Sequence, residues 1–136
     1  MRFTTNDREE KMSNKPKPTE INLHKASHIL EIAFNDGSRF NLPTEYLRVY
    51  SPSAEVQGHG PGQEKLQIGK QDVNIDRIEQ VGNYAIQLYF DDNHDTGIYS
   101  WDTLHMLGMN QETLWQEYLD KLKAAGHKRP EPQHLQ

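Results

Sequence analysis

Residues 94–108 read His-Asp-Thr-Gly-Ile-Tyr-Ser-Trp-Asp-Thr-Leu-His-Met-Leu-Gly, and this stretch leaves the backbone little choice. Gly97 interrupts a run that otherwise reads as strand. Ser100 then offers a hydroxyl to the first free amide groups of a short helix, which Gly108 is placed to stop. A turn, a strand end, a cap and a helix stop therefore follow one another without a linker, and ordered structure must surround them.

The flanking sequence supplies that structure. Tyr84 to Phe90 is the strongest strand signal in the chain and is predicted to lie centrally, followed by an acidic turn at residues 91–95. Upstream, Ile21 and Leu23 alternate with polar residues, and Ile29, Leu30, Ile32 and Phe34 make a second strand. Asn35-Asp36-Gly37 is a hairpin signal, because Asp-Gly suits the backbone angles of a tight turn, and it returns into residues 38–42. Pro43 then sets a helix-compatible angle before residues 44–50. Leu66 and Ile68 suggest a short strand ended by Gly69, and Val73, Ile75 and Ile78 another. After Met109, an Asn110 cap opens the final helix, with Leu114, Trp115, Tyr118, Leu119 and Leu122 on one face and Gly126 as its stop. The expected class is α+β: a mainly antiparallel sheet of several short strands, short helices, and a C-terminal amphipathic helix.

Length and composition bound the rest. A chain of 136 residues supports one core. The expected organisation is a leader at residues 1–17, a domain at 18–126 and a flexible tail at 127–136, with Met12 as a second plausible start. No cysteine is present, which excludes disulfides, thiolate metal sites and cysteine nucleophiles. No signal-peptide pattern or membrane-length apolar run occurs, so the expected location is the cytoplasm, with no membrane contact. Residues 18–126 carry a net charge of −8, which argues against a nucleic-acid partner.

Two stretches carry polar groups with chemical potential. Residues 48–60 hold Arg48, Ser51, Ser53, Glu55 and His59 in a loop rich in glycine and proline, and residues 94–101 hold His94 and Trp101. These seven residues are the candidate binding face. The plainer alternative pairs Glu55 with Arg48, uses Ser51 as a helix terminator and leaves His59 as an exposed loop residue. A metal site in which His59 and His94 join Asp91, Asp92 or Asp95, with His59, His94 and Asp95 as the named set, is a weaker alternative, since no local ligand spacing supports it. No nucleophile elbow marks a hydrolytic triad and no Walker end marks a phosphate loop, so no catalytic residue is assigned and no cofactor is expected.

The motifs at Pro18-Thr19-Glu20-Ile21, residues 30–37, Tyr46-Leu47-Arg48, residues 51–60 and residues 94–101 together resemble the gamma-butyrobetaine hydroxylase-like N-terminal domain family, a domain of unknown function, in its stand-alone bacterial form. The resemblance runs from about Pro18 to Gly108. In the gamma-butyrobetaine and trimethyllysine dioxygenases a similar domain precedes the catalytic jelly roll and binds a structural zinc through three cysteines and a histidine. It implies that those cysteines fall at Ser51, Ser53 and Val56 here and the histidine at His94, so no structural zinc is expected and the loop and the turn should meet. A similar domain is also fused to P-loop ATPases that carry iron–sulfur clusters. The resemblance thus implies a non-catalytic binding or accessory module with a protein partner, such as an iron–sulfur assembly factor. The alternatives are a metal- or small-ligand-binding protein or enzyme using His59 and His94, and a regulatory partner of an oxygenase.

Overall fold

A computed structural model describes residues 15–129. Strands β1 (Pro18–His24), β2 (Ile29–Phe34) and β3 (Arg39–Pro43) form one antiparallel sheet in that order, and β4 (Ile75–Val81), β5 (Ala85–Phe90) and β6 (Gly97–Ser100) form a second. Helices α1 (Thr44–Val49) and α2 (Ala54–Gln57) connect the two sheets, while α3 (Trp101–Met109) and α4 (Gln111–Ala124) follow β6. The class is α+β with antiparallel pairing throughout, divided between two sheets, and β5 is the central strand of the second.

Period-2 alternation places the core. Leu30 pairs with Leu42 across β2 and β3, and Ile32 faces Ile21 across β2 and β1. On the second sheet Ile75, Ile86, Leu88 and Phe90 point inward. These side chains join Tyr46 and Leu47 of α1 and Leu104 and Leu107 of α3 in one apolar cluster that spans both sheets. A fully buried leucine or isoleucine contributes about 1.5–3 kcal/mol. Buried polar atoms stitch the same layers together. The Thr44 hydroxyl donates to the Val73 carbonyl at 2.7 Å, Tyr46 to the Leu107 carbonyl at 2.6 Å, and Tyr99 to the Leu47 carbonyl at 2.5 Å.

Several local expectations are corrected. Residues 66–68 form no strand, and residues 51–62, read as a loop, contain the one-turn helix α2, because the Ser53 hydroxyl accepts the Glu55 amide as an N-cap. Gly108 does not end α3 in a left-handed conformation; the helix runs through Met109 to Asn110. Gly108 is glycine for another reason: a Cβ there would lie 2.3 Å from the Phe40 ring. Asn110 makes no side-chain cap for α4, and its amide instead donates to the Met106 carbonyl at 2.9 Å. The α4 stripe is buried at Tyr118 and Leu122, and Leu114, Trp115 and Leu119 are half-buried.

At the ends, the Lys17 amide donates to the Asn35 side chain at 3.1 Å and the Lys17 carbonyl accepts the Asn35 amide at 2.9 Å, so pairing begins one residue before the expected boundary. At the other end, the first residues of the expected tail touch the domain. His127 bonds back to the Leu122 carbonyl, and Arg129 pairs with Glu45. The leader at 1–14 and the tail at 130–136 lie outside the described residues. Among the described residues no helix is long and apolar enough to cross a membrane.

Candidate functional site

The loop after α1 and the turn before β6 meet at His94. Its ring is buried, 2 % exposed. Nδ1 lies 2.8 Å from Glu55 Oε2, and Nε2 lies 2.8 Å from Ser51 Oγ. A carboxylate only accepts, so Nδ1 carries the proton, and in the neutral ring Nε2 accepts a hydrogen bond from the Ser51 hydroxyl. Ser51 Oγ accepts in turn from the Ser53 amide at 3.3 Å, while Ser53 Oγ contacts Thr96 Oγ1 at 2.6 Å. The Gln57 side chain closes the loop by donating to the Ser51 carbonyl at 3.0 Å.

Local backbone makes the meeting possible. A Cβ at Gly97 would lie 2.7 Å from Ser51 Oγ, so the glycine in the turn is the space the serine occupies. Gly58 has φ +75°, and a Cβ there would lie 2.4 Å from the Gln63 carbonyl oxygen. These contacts let residues 51–63 fold back on themselves.

A charged layer lies beside the imidazole. Arg48, 7 % exposed, donates through Nε to Asp92 Oδ2 at 2.9 Å and through Nη1 to the Gln67 side chain at 3.0 Å. Lys70 reaches the same Asp92 oxygen at 2.8 Å, and Asp92 Oδ1 accepts the His94 amide at 3.3 Å. Burial alone raises the Asp92 carboxyl, but the hydrogen bonds and charges of Lys70 and Arg48 outweigh it and hold the group below its ordinary range. Burial, followed by the Arg48 charge, pushes His94 below 6.5 against the opposing pull of Glu55 and Asp92. Arg48 therefore pairs with Asp92 and Glu55 with His94, not with each other.

Of the seven candidate residues, Ser51, Ser53, Glu55 and His94 converge directly and Arg48 joins through Asp92. Trp101 does not: its indole donates to the Asn83 carbonyl at 2.8 Å, which fixes the start of α3 on the β4–β5 turn. His59 stays exposed on the loop. The sequence reading missed Lys70 and Gln67 as participants, weighed Asp92 only as a metal ligand, and included Thr96 only as part of the 94–101 stretch. Asp92 stood two residues before His94 in a recognised acidic turn, whereas Gln67 and Lys70 carried no local signal.

Serine, histidine and carboxylate stand in the order of a hydrolytic triad, but their exposure is inverted. A working triad turns its serine to the substrate and shields its acid. Here Ser51 is fully buried, His94 nearly so, and the Glu55 side chain is 60 % exposed. The adjacent groove of about 500 Å³ is lined by Val49, Tyr50, Val56, Leu66 and Tyr118, among others, and neither Ser51 nor His94 borders it. The arrangement is a polar cross-link. Nor do these residues suit the zinc of the dioxygenase domains: Ser51 and Ser53 carry hydroxyls, Val56 is apolar and buried, and both His94 nitrogens are engaged. Among the described residues no group of three or more His, Cys, Asp or Glu side chains is placed to hold a metal, so the set of His59, His94 and Asp95 does not assemble.

Comparison with known proteins bears on the fold and the family. Two solution NMR structures match with TM-scores of 0.74 and 0.75 at 51% and 44% identity, each over 88% of this chain and over 89% and 93% of their own. A crystal structure of a protein of unknown function from Acidithiobacillus ferrooxidans, in the domain of unknown function 971 family, matches at 35% identity with a TM-score of 0.58, over 68% of this chain and 92% of its own. A search of curated proteins finds no significant match. The family model described as gamma-butyrobetaine hydroxylase-like, N-terminal, matches residues 21–105. With that match covering more than half of its length, the chain belongs to the gamma-butyrobetaine hydroxylase-like N-terminal domain family.

Proposed function

We propose that this chain is a non-catalytic binding module whose cross-linked loop presents Glu55, Gln57 and His59 to a protein partner. One observation carries the reading: the groups able to do chemistry, Ser51 and His94, are closed from solvent and bonded internally, while the outer side of the same loop is exposed. A loop held by a buried cross-link offers a fixed surface, and a preorganised surface loses less ordering entropy on association. The likeness to domains fused to iron–sulfur ATPases nominates an iron–sulfur assembly factor as the partner to try first.

Affinity capture with the full chain tests this. His59→Ala should reduce capture of the partner while leaving Tm within about 1 °C, as expected for a surface change. Glu55→Ala is not a clean probe, because Glu55 also holds His94. Gln57→Ala is set aside for the same reason, because Gln57 holds the Ser51 carbonyl; unchanged capture in both His59→Ala and His59→Glu would defeat the loop-face reading. A fluorophosphonate probe should leave Ser51 unlabelled; stoichiometric labelling would move the protein to the enzyme class.

A further inference from the structure

A second polar arrangement lies away from the loop, where the chain after α4 returns to α1. Glu45 sits in the first turn of α1 with its side chain 7 % exposed. Arg129 Nε donates to Glu45 Oε2 at 2.9 Å and Nη2 donates to Oε1, so the guanidinium grips both carboxylate oxygens. The same guanidinium lies 5.4 Å from the centre of the Trp115 ring. A shielded carboxylate matched to a two-pronged donor beside an aromatic ring selects arginine over lysine, whose ammonium offers neither the fork nor the plane.

The segment carrying Arg129 is otherwise lightly held. Residues 123–128 are exposed, and Gly126 turns the chain with φ +78°. A cavity of about 90 Å³ remains beneath the segment, bordered by Glu45, Ile68, Tyr118, Leu122 and Arg129. The pairing with Glu45 is thus the main anchor of this strap, residues 125–129, and a nearly buried carboxylate left without a cation is costly enough that the socket around Glu45 favours being filled.

We propose that Glu45 and Trp115 form a guanidinium-binding socket, that Arg129 is its built-in occupant, and that an arginine-bearing segment of a basic partner protein takes its place when the strap lifts. The cis occupant demonstrates the fit, and the net charge of −8 on residues 18–126 attracts such a partner. The site goes beyond the loop-face reading and shares no residue with it, so either can fail alone.

Chemical rescue in the full chain decides the matter. Arg129→Ala should lower Tm by about 5 °C or more, as the pair is broken from one side. Millimolar ethylguanidinium should recover most of that loss, ethylammonium should not, and the wild type should respond to neither. The Trp115 indole N–H cross-peak should move with ethylguanidinium in the variant alone. A Gly-Arg-Gly amide peptide should bind Arg129→Ala at least about tenfold more tightly than wild type, because the internal competitor is gone, and a Gly-Lys-Gly peptide should show no such gain. If Arg129→Ala does not fold, Arg129→Lys replaces it, and the same preference for the arginine peptide is expected over the wild type. Equal response to ammonium and guanidinium, equal peptide binding by variant and wild type, or an unchanged Tm together with no rescue would overturn the socket.

Discussion

At the scale of residues, His94 shows how burial and partners set one side chain's role. Its neutral form is the one the site accommodates, since Nδ1–H donates to Glu55 and Nε2 accepts from Ser51. With the folded pKa below 6.5, the unfolded chain binds the extra proton first as pH falls. Stability from this group is therefore complete above about pH 6.5 and is lost as pH drops through the folded value. An NMR titration of the imidazole should give a midpoint below 6.5, and a midpoint above it would contradict the assigned proton positions. Gly97→Ala is expected to cost about 1–3 kcal/mol in denaturant unfolding, because the new methyl collides with Ser51 Oγ at 2.7 Å and with the Tyr99 ring. If that variant unfolds at the wild-type midpoint, the loop and turn do not meet as described.

Among the elements, α3 and β3 depend on each other through an absence. The Phe40 ring fills the space beside Gly108, so α3 approaches the first sheet more closely than a helix carrying any side chain at that position. Gly108→Ala should destabilise the fold by about 1–3 kcal/mol, even though alanine is the better helix former by roughly 1 kcal/mol. A gain in stability would show that propensity outweighs the contact. Gly37 makes the useful comparison: a Cβ there meets nothing within 4 Å, but its φ of +88° disfavours any side chain. Two glycines thus resist substitution for different reasons, one for space and one for backbone conformation. The hairpin that Gly37 closes was legible from Asp36-Gly37, whereas the space at Gly108 was not, because its neighbour lies in another element.

For the whole molecule, the decisive feature is that one apolar cluster takes side chains from both sheets and from α1 and α3. Neither sheet has a core of its own to retain when the other is lost. Unfolding should therefore be a single transition, with calorimetric and van't Hoff enthalpies equal within error; two resolved transitions would mean that the sheets are independent. Period-2 alternation, the Asp-Gly turn, the Ser100 cap and the α4 stripe are rules about neighbours in the chain, and they made the α+β class, the central β5 and most element positions readable from the residues. The division into two sheets was not readable, because the inward faces of β2 and β5 look alike until they are placed in one core. The meeting of the loop with the His94 turn was implied by family resemblance; its hydrogen bonds join residues about forty positions apart, such as Ser51 with His94 and Glu55 with His94. No local pattern records such a pairing. The sequence by itself therefore determined the elements and the types of side chain available, whose causes act over a few residues. Tertiary structure alone decided that serine, histidine and glutamate join in a cross-link whose serine and histidine are buried rather than in an open catalytic site, because burial depends on what the rest of the chain packs against them.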